Sequence, residues 1–149
     1  MEIRYRLESI TETEFKINYD FDYSTIVPDK VKAQIGHDVK PIMEEDRVIV
    51  KAVATLVYGD EETELAKNSI ALSFGLNPIK DVIVPKEDGS FSTVDPLILD
   101  TFLLATIGAL RGVLMKNLKG TPLEPYYLPL IPIEPFKVKT RTKKIADPR

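Results

Sequence analysis

The sequence contains no cysteine and no tryptophan, and its single histidine is His37. The absence of cysteine excludes disulfides, thiolate nucleophiles and thiolate-bound metals, and it fits a reducing compartment. One isolated histidine without cysteine supplies neither the usual ligands of a zinc site nor the neighbours of a histidine-based triad. We therefore expect no catalytic residue, no metal site and no cofactor, and we do not expect an enzyme.

Excess charge of either sign is also lacking. The chain has 20 basic and 23 acidic residues, a net charge of −3, and this balance disfavours nucleic-acid binding. No glycine-rich loop with a following Lys-Ser/Thr is present to hold a phosphate. The first residues, "MEIRYRLES", lack the apolar stretch of a signal peptide, so a cytoplasmic protein is expected.

What is present is the pattern of a strand-rich domain. Residues 2–23 alternate apolar or aromatic odd positions with charged even positions, which predicts one unusually long strand. Ile10 is out of phase with that alternation and indicates a bend or β-bulge in the middle. The stretches 47–58 and 63–76 predict two more strands, joined by a hairpin loop at "GDEE".

Two further stretches complete the predicted sheet. Residues 24–46 show no sustained period and contain Pro28 and Pro41, which predicts a long irregular crossing connection. The short run "DVIV" at 81–84 is the candidate fourth strand. Strands first and one helix last indicate an α+β fold, with a four-stranded antiparallel sheet covered by the helix on one face.

The helix is expected to begin near Asp95 and Pro96 and to end near residue 118, before Gly120. Its apolar residues extend most of the way round the helix, and one sheet cannot cover them all. A membrane span, a core helix and a subunit interface all share this pattern; internal Asp100 and Arg111 weigh against the membrane. We favour a helix between sheet and sister subunits, with interface candidates Gly108, Arg111, Gly112 and Met115.

Two surfaces are candidates for binding. Acidic residues in the first strand and the hairpin loop predict a sheet face for a basic partner, or merely a solvated face: Glu12, Glu14, Asp20, Asp22, Asp60, Glu61 and Glu62. Aromatic side chains predict an apolar groove for extended chains, or plain core: Phe15, Tyr19, Phe21, Tyr23, Tyr126, Tyr127 and Phe136.

In order and spacing, the chain resembles the SecB family of export chaperones. The resemblance is carried by the hairpin "YGDEET" at 58–63, the helix with Arg111, and "GTP…LPLIPIEPF" at 120–136. The resemblance covers roughly residues 2–136. We therefore expect a single domain over residues 1–136, followed by a basic tail at 137–149. The resemblance implies a four-stranded sheet with a long first strand, a crossing loop and a long helix, assembled as a dimer of dimers. It also implies ATP-independent binding of unfolded polypeptides and preproteins for export, with transfer to the SecA motor.

The resemblance also implies site residues. The residues that fall where the family contacts SecA are Glu14, Tyr58 and Asp60. The candidates for the apolar substrate groove, chosen from their chemistry, are Phe21, Tyr23, Tyr126, Tyr127 and Phe136. The chain departs from the family at Gly108, where the family has proline, and in lacking the second helix and acidic tail. A dedicated single-client adaptor or antitoxin-type chaperone therefore stays open beside the export chaperone, and a small-ligand carrier is a third reading.

Overall fold

The computed structural model describes residues 2–129, so the predicted tail at 137–149 lies outside the described residues. A four-stranded antiparallel sheet, a two-stranded sheet and one long helix form an α+β fold, as the sequence predicts. The main sheet has the strand order β1-β4-β3-β2. The elements are β1 Arg4–Ile17, β2 Val31–Ile42, β3 Arg47–Tyr58, β4 Thr63–Asn77, β5 Ile83–Pro85, β6 Phe91–Thr93 and α1 Pro96–Leu118.

The irregularity predicted near Ile10 is confirmed as two β-bulges in β1. The register with β4 shifts between Leu7 and Ser9 and again between Glu12 and Glu14. Each extra residue reverses the alternation of side chains along the strand. Ile10, paired with Leu72, therefore lies on the same side of the sheet as Leu7. The strand ends at Ile17 rather than continuing to residue 23.

The predicted irregular connection over 24–46 is wrong for its central part. Residues 31–42 form β2, which pairs in continuous register with β3 from Val31 opposite Tyr58 to Ile42 opposite Arg47. His37 consequently lies in a strand, opposite Ala52, and not in a loop. The crossing segment is limited to the residues between β1 and β2, where two short 3-10 turns occur.

The predicted fourth strand "DVIV" is also placed differently. Ile83–Pro85 pairs with Phe91–Thr93 in a separate two-stranded hairpin, which leads into the helix. The fourth strand of the main sheet is β2 instead. The number of strands in the main sheet was thus predicted correctly, but one of its members was misassigned.

The core lies between one face of β3 and β4 and the inner side of α1. Alternate residues of both strands are buried, including Val48 and Val50 in β3 and Leu72 in β4. The rings of Phe74 in β4 and Phe102 in α1 stack in parallel with centroids 4.1 Å apart. One helix is about 10 Å across and strands are about 4.8 Å apart, so α1 covers roughly two strands.

The helix begins and ends as the sequence predicts. The carboxylate of Asp95 accepts a hydrogen bond from the backbone N–H of Leu97 at 3.1 Å, and Pro96 occupies the first helical position. After Leu118 the chain turns away, and Gly120 adopts a φ of 80° that favours glycine. The helix is long and apolar enough to cross a membrane by length and composition, and half of its apolar window is buried in this fold.

Replacing Asp95 by alanine should lower the free energy of unfolding by about 1 kcal/mol, because the Leu97 N–H loses its cap. Urea denaturation followed by circular dichroism measures the change. Asp95→Asn is the matched control, since asparagine caps helices as well as aspartate does. An equal loss in both variants would show that the carboxylate stabilises the fold in some other way.

Candidate functional site

Four large apolar side chains of β1 are exposed on the side of the sheet that carries α1. Their partners in β4 are buried under the helix, but the four residues themselves are between 37 and 50% exposed. We call them the β1 strip: Tyr5, Leu7, Ile10 and Phe15. The strip is open because β1 is an edge strand beyond the reach of one helix. The opposite edge differs, since Val31, Ile35 and Val39 of β2 are half-buried against the core.

Polar side chains fasten the helix beside this strip. The buried Asn68 donates hydrogen bonds from Nδ2 to the carboxylate of Glu12 and to the backbone carbonyl of Glu14, both at 2.8 Å. Asn117, in the last turn of α1, donates to the same Glu12 carboxylate at 2.6 Å and to Asn68 Oδ1 at 3.1 Å. Glu12 therefore joins β1, β4 and α1 at a position between Ile10 and Phe15 of the strip, and it does not belong to an acidic outer face.

At its Tyr5 end, the strip packs against an aromatic residue of the core. The ring of Tyr5 meets the edge of Phe102 with centroids 5.5 Å apart. Because Phe102 is buried while Tyr5 is half exposed, the strip is continuous with the core. A bound apolar segment would therefore contact a rigid surface whose backbone is already held in a strand.

The outer side of α1 is a second exposed apolar surface. It carries no charged side chain over most of its length, and Leu97, Leu104 and Met115 are exposed there. Gly108 and Gly112 lie between them, and a Cβ added at either position would meet no atom of the described residues within 4 Å. This is the arrangement expected of a helix with one covered and one uncovered face. We call it the outer face of α1.

Arg111 is engaged within the same chain. Its Nε donates to the carbonyl of Leu128 at 3.1 Å, and its Nη2 donates to the carbonyl of Pro129 at 3.0 Å. The arginine thereby ties the segment after the helix to α1. On the same flank, Asp100 is buried, and its Oδ1 has no hydrogen-bond partner among residues 2–129.

Three of the predicted groove and contact residues form one aromatic cluster. The ring of Phe21 lies 5.0 Å from the rings of both Tyr23 and Tyr58. The Tyr23 hydroxyl donates to the carbonyl of Asn18 at 2.6 Å, and the Tyr58 hydroxyl accepts from the backbone N–H of Val27 at 2.9 Å. Burial raises the pKa of Tyr23 above its ordinary value. The cluster holds the chain leaving β1 against the end of β3.

The remaining predicted groove residues are not shown to join this cluster. Tyr126 is half-buried against the core, and Tyr127 beside it is exposed. Phe136 lies outside the described residues. The residues predicted to contact SecA do not form one group. Asp60 is exposed in the hairpin loop, whereas Glu14 lies in β1 and pairs with Lys16 and Lys67 at 3.7 and 3.6 Å.

The predicted acidic sheet face is wrong. By strand register, the side of the main sheet opposite α1, called the open face, carries eight basic and four acidic residues. The basic residues are Arg4, Arg6, Lys16, Lys32, Lys40, Arg47, Lys51 and Lys67, and the acidic ones are Glu8, Glu14, Asp38 and Glu64. The open face is therefore net basic.

The main sheet with its long edge strand and the single helix across one face define a SecB-like fold. Among solved structures, the chain is similar to Rv1957, the SecB-like chaperone of Mycobacterium tuberculosis, in complex with a ChAD peptide from the Rv1956 HigA1 antitoxin. The match has a TM-score of 0.54 and 12% identity, and it covers 87% of this chain and 91% of that one. Protein-family models and curated proteins gave no match to the sequence. At this identity the likeness shows the fold.

Sequence reasoning included Phe15 among the candidate groove residues but missed Tyr5, Leu7 and Ile10 as parts of an exposed strip. Ile10 was the available signal, because its shifted phase indicates the bulge that turns it toward the side of Leu7. A second signal was the width of one helix, which cannot cover a four-stranded sheet. Asn68 was a third, since it interrupts the buried alternation of β4 with an amide.

Proposed function

We propose that this protein is an ATP-independent chaperone, a holdase that binds extended non-native polypeptides along the β1 strip. The exposed strip is the observation that carries the proposal. Four large apolar side chains follow one edge strand whose outer backbone groups are unpaired within the main sheet. Extended chains bind such an edge through backbone hydrogen bonds, while the alternate side chains supply apolar contacts.

The chemistry of the strip fits unfolded chains better than a small ligand. Its residues are spread along a strand at about 3.3 Å per residue and do not converge on an enclosed cavity. Unfolded polypeptides expose apolar side chains in extended segments, and such segments match a long apolar strip. Neither nucleotide chemistry nor a cofactor is part of this proposal.

We further propose that the outer face of α1 is the contact between protomers of a homo-oligomer. Leucine and methionine side chains exposed around two glycines permit a close helix–helix approach. A dimer of dimers is the assembly implied by the resemblance to SecB.

The broader version of the proposal is a cytoplasmic chaperone for protein export. Transfer to SecA through an acidic face, with Glu14, Tyr58 and Asp60, loses its electrostatic support because the open face is basic. The narrower version is a chaperone dedicated to one client, such as an antitoxin. The similar mycobacterial chaperone, whose structure contains an antitoxin peptide, supports this version.

The proposal is tested by light-scattering chromatography with and without an equimolar unfolded test protein. We expect an oligomer that takes up the unfolded chain and releases it once the chain can fold. An oligomer that binds one client but ignores the generic test protein would identify the dedicated version. A protein that binds no unfolded chain and no client peptide would contradict the proposal.

The double variant Leu7→Ser, Ile10→Ser should weaken binding of the unfolded chain. Losing two apolar contacts of partly exposed side chains should cost about 2 kcal/mol of binding free energy, a roughly thirtyfold higher Kd. Fluorescence anisotropy with a labelled unfolded protein measures the Kd. Val84→Ser with Val94→Ser is the control, because both valines are exposed outside the strip. Equal weakening in both proteins would remove the strip from the binding site.

A further inference from the structure

A shallow groove crosses the open face, on the side of the sheet away from the β1 strip. Small residues from all four strands lie beside one another there, with Gly36 opposite Val53 and Val53 opposite Ser69. Thr13, at the second bulge of β1, completes the row. These residues line a depression of 350 Å³. The small side chains of this row therefore leave a depression in the open face.

Basic side chains flank the groove, and the nearby acidic residues are largely neutralised. Glu14 lies between Lys16 and Lys67, within 3.7 Å of each. Glu64 is 3.6 Å from Lys16. Farther along the face, Glu8 accepts from Arg47 at 2.9 Å, a pairing that raises the pKa of the guanidinium.

Three lysines of the open face form no ion pair within the part of the chain that the structure describes. These are Lys32 and Lys40 on β2 and Lys51 on β3, all exposed. Asp38 is the register partner of Lys51 and lines the same groove, but it makes no ion pair with it. The β2–β3 half of the open face consequently keeps an uncompensated positive charge.

We propose that the open face docks an acidic, extended polypeptide segment of a partner protein, lying in the groove between these basic residues. Charge complementarity identifies the partner, because unpaired lysines attract carboxylates and disfavour a basic chain. Four strands spaced about 4.8 Å apart give the groove a length of roughly 15 Å, which about five extended residues fill. The small side chains let the partner's backbone approach the sheet.

A protein fits this face better than a nucleic acid does. The exposed aromatic residues of β1, Tyr5 and Phe15, lie on the helix side, so the described part of the open face offers no ring on which bases could stack. The open face and the β1 strip are on opposite sides of the sheet, so this docking is independent of the proposed client site.

The test uses the full-length protein and a fluorescein-labelled peptide with the repeat Glu-Ser-Glu-Gly. Its counterpart has lysine for glutamate, and oligothymidylate of matching length is the nucleic-acid probe. In anisotropy titrations we expect the acidic peptide to bind, and to bind more weakly as salt screens the charges. The variant K32E/K40E/K51E should raise its Kd roughly tenfold or more.

The matched control is K80E/K86E/K119E, which changes the net charge equally at exposed lysines elsewhere. It should shift the Kd less than about twofold if local charge governs docking. Ser69→Leu tests the groove itself, since it fills the row without altering charge and should also weaken binding. Equal effects of the two charge reversals, tighter binding of the lysine peptide, or equally salt-sensitive binding of oligothymidylate would overturn the proposal. A lower solution mass of K32E/K40E/K51E would assign the face to a second copy and overturn it as well.

Discussion

Phe102→Ala should lower the free energy of unfolding by about 3–5 kcal/mol, as expected for a large aromatic side chain removed from a core. Phe102 is 1% exposed and stacks on Phe74 at 4.1 Å, while Tyr5 packs against its edge. The variant therefore leaves a cavity between α1 and the sheet and also removes support from one end of the β1 strip. Urea denaturation followed by far-ultraviolet circular dichroism measures the loss.

Leu104→Ala is the control for this prediction. Leu104 lies on the same helix but is more than half exposed on the outer face, so its loss in an isolated protomer should cost less than about 1 kcal/mol. A similar destabilisation by both variants at protein concentrations where only protomers exist would contradict the assignment of the inner and outer faces. A loss that grows with protein concentration only for Leu104→Ala would instead support the proposed subunit contact.

The central strands and the helix could be predicted from sequence because their signals are local. Alternation in β3 and β4 follows from burial of one face, and Asp95 and Pro96 mark the helix start through backbone chemistry. The bulge near Ile10 could be predicted for the same reason, since one residue out of phase reports a change of face. Such features depend on neighbours along the chain and need no knowledge of the tertiary fold.

The edge strand β2 was harder to predict because its alternation is weak. Val31, Ile35 and Val39 do share one side, but Gly36 and Pro41 are typical of loops and obscure the period. Backbone hydrogen bonds to β3 hold these residues in a strand, a conformation that their own local sequence does not favour. Long-range contacts therefore determined the structure where local propensity was indecisive.

The charge of the open face was mispredicted as a direct consequence of that omission. Lys32 and Lys40 were not counted on the sheet because β2 was assigned to a connection, and Glu12 was counted although the bulge turns it toward α1. The network of Glu12, Asn68 and Asn117 joins residues that are far apart in sequence, so no local pattern could indicate it. Function assigned from a charge pattern thus depends on correct strand membership.

The double variant Gly108→Leu, Gly112→Leu should split the proposed assembly while leaving each protomer folded. Within the protomer, neither added side chain meets a described atom within 4 Å of its Cβ. Leucine also has a higher helix propensity than glycine, which favours the helix by roughly 0.5–1 kcal/mol at each position. Across a close helix–helix contact, each inserted side chain should cost about 1–3 kcal/mol, which raises the Kd of assembly roughly thirtyfold or more in total.

Light-scattering chromatography across a range of protein concentrations measures the dissociation, and thermal unfolding verifies that the protomer is intact. Ala33→Leu adds the same side chain on the exposed edge strand β2 and should leave the solution mass unchanged. A smaller assembly with undiminished protomer stability would identify the outer face of α1 as the subunit contact, because a Cβ added at either glycine meets no atom of residues 2–129 within 4 Å. An unchanged mass would show that the glycines are not at a subunit contact, and the apolar outer face would then require a different partner.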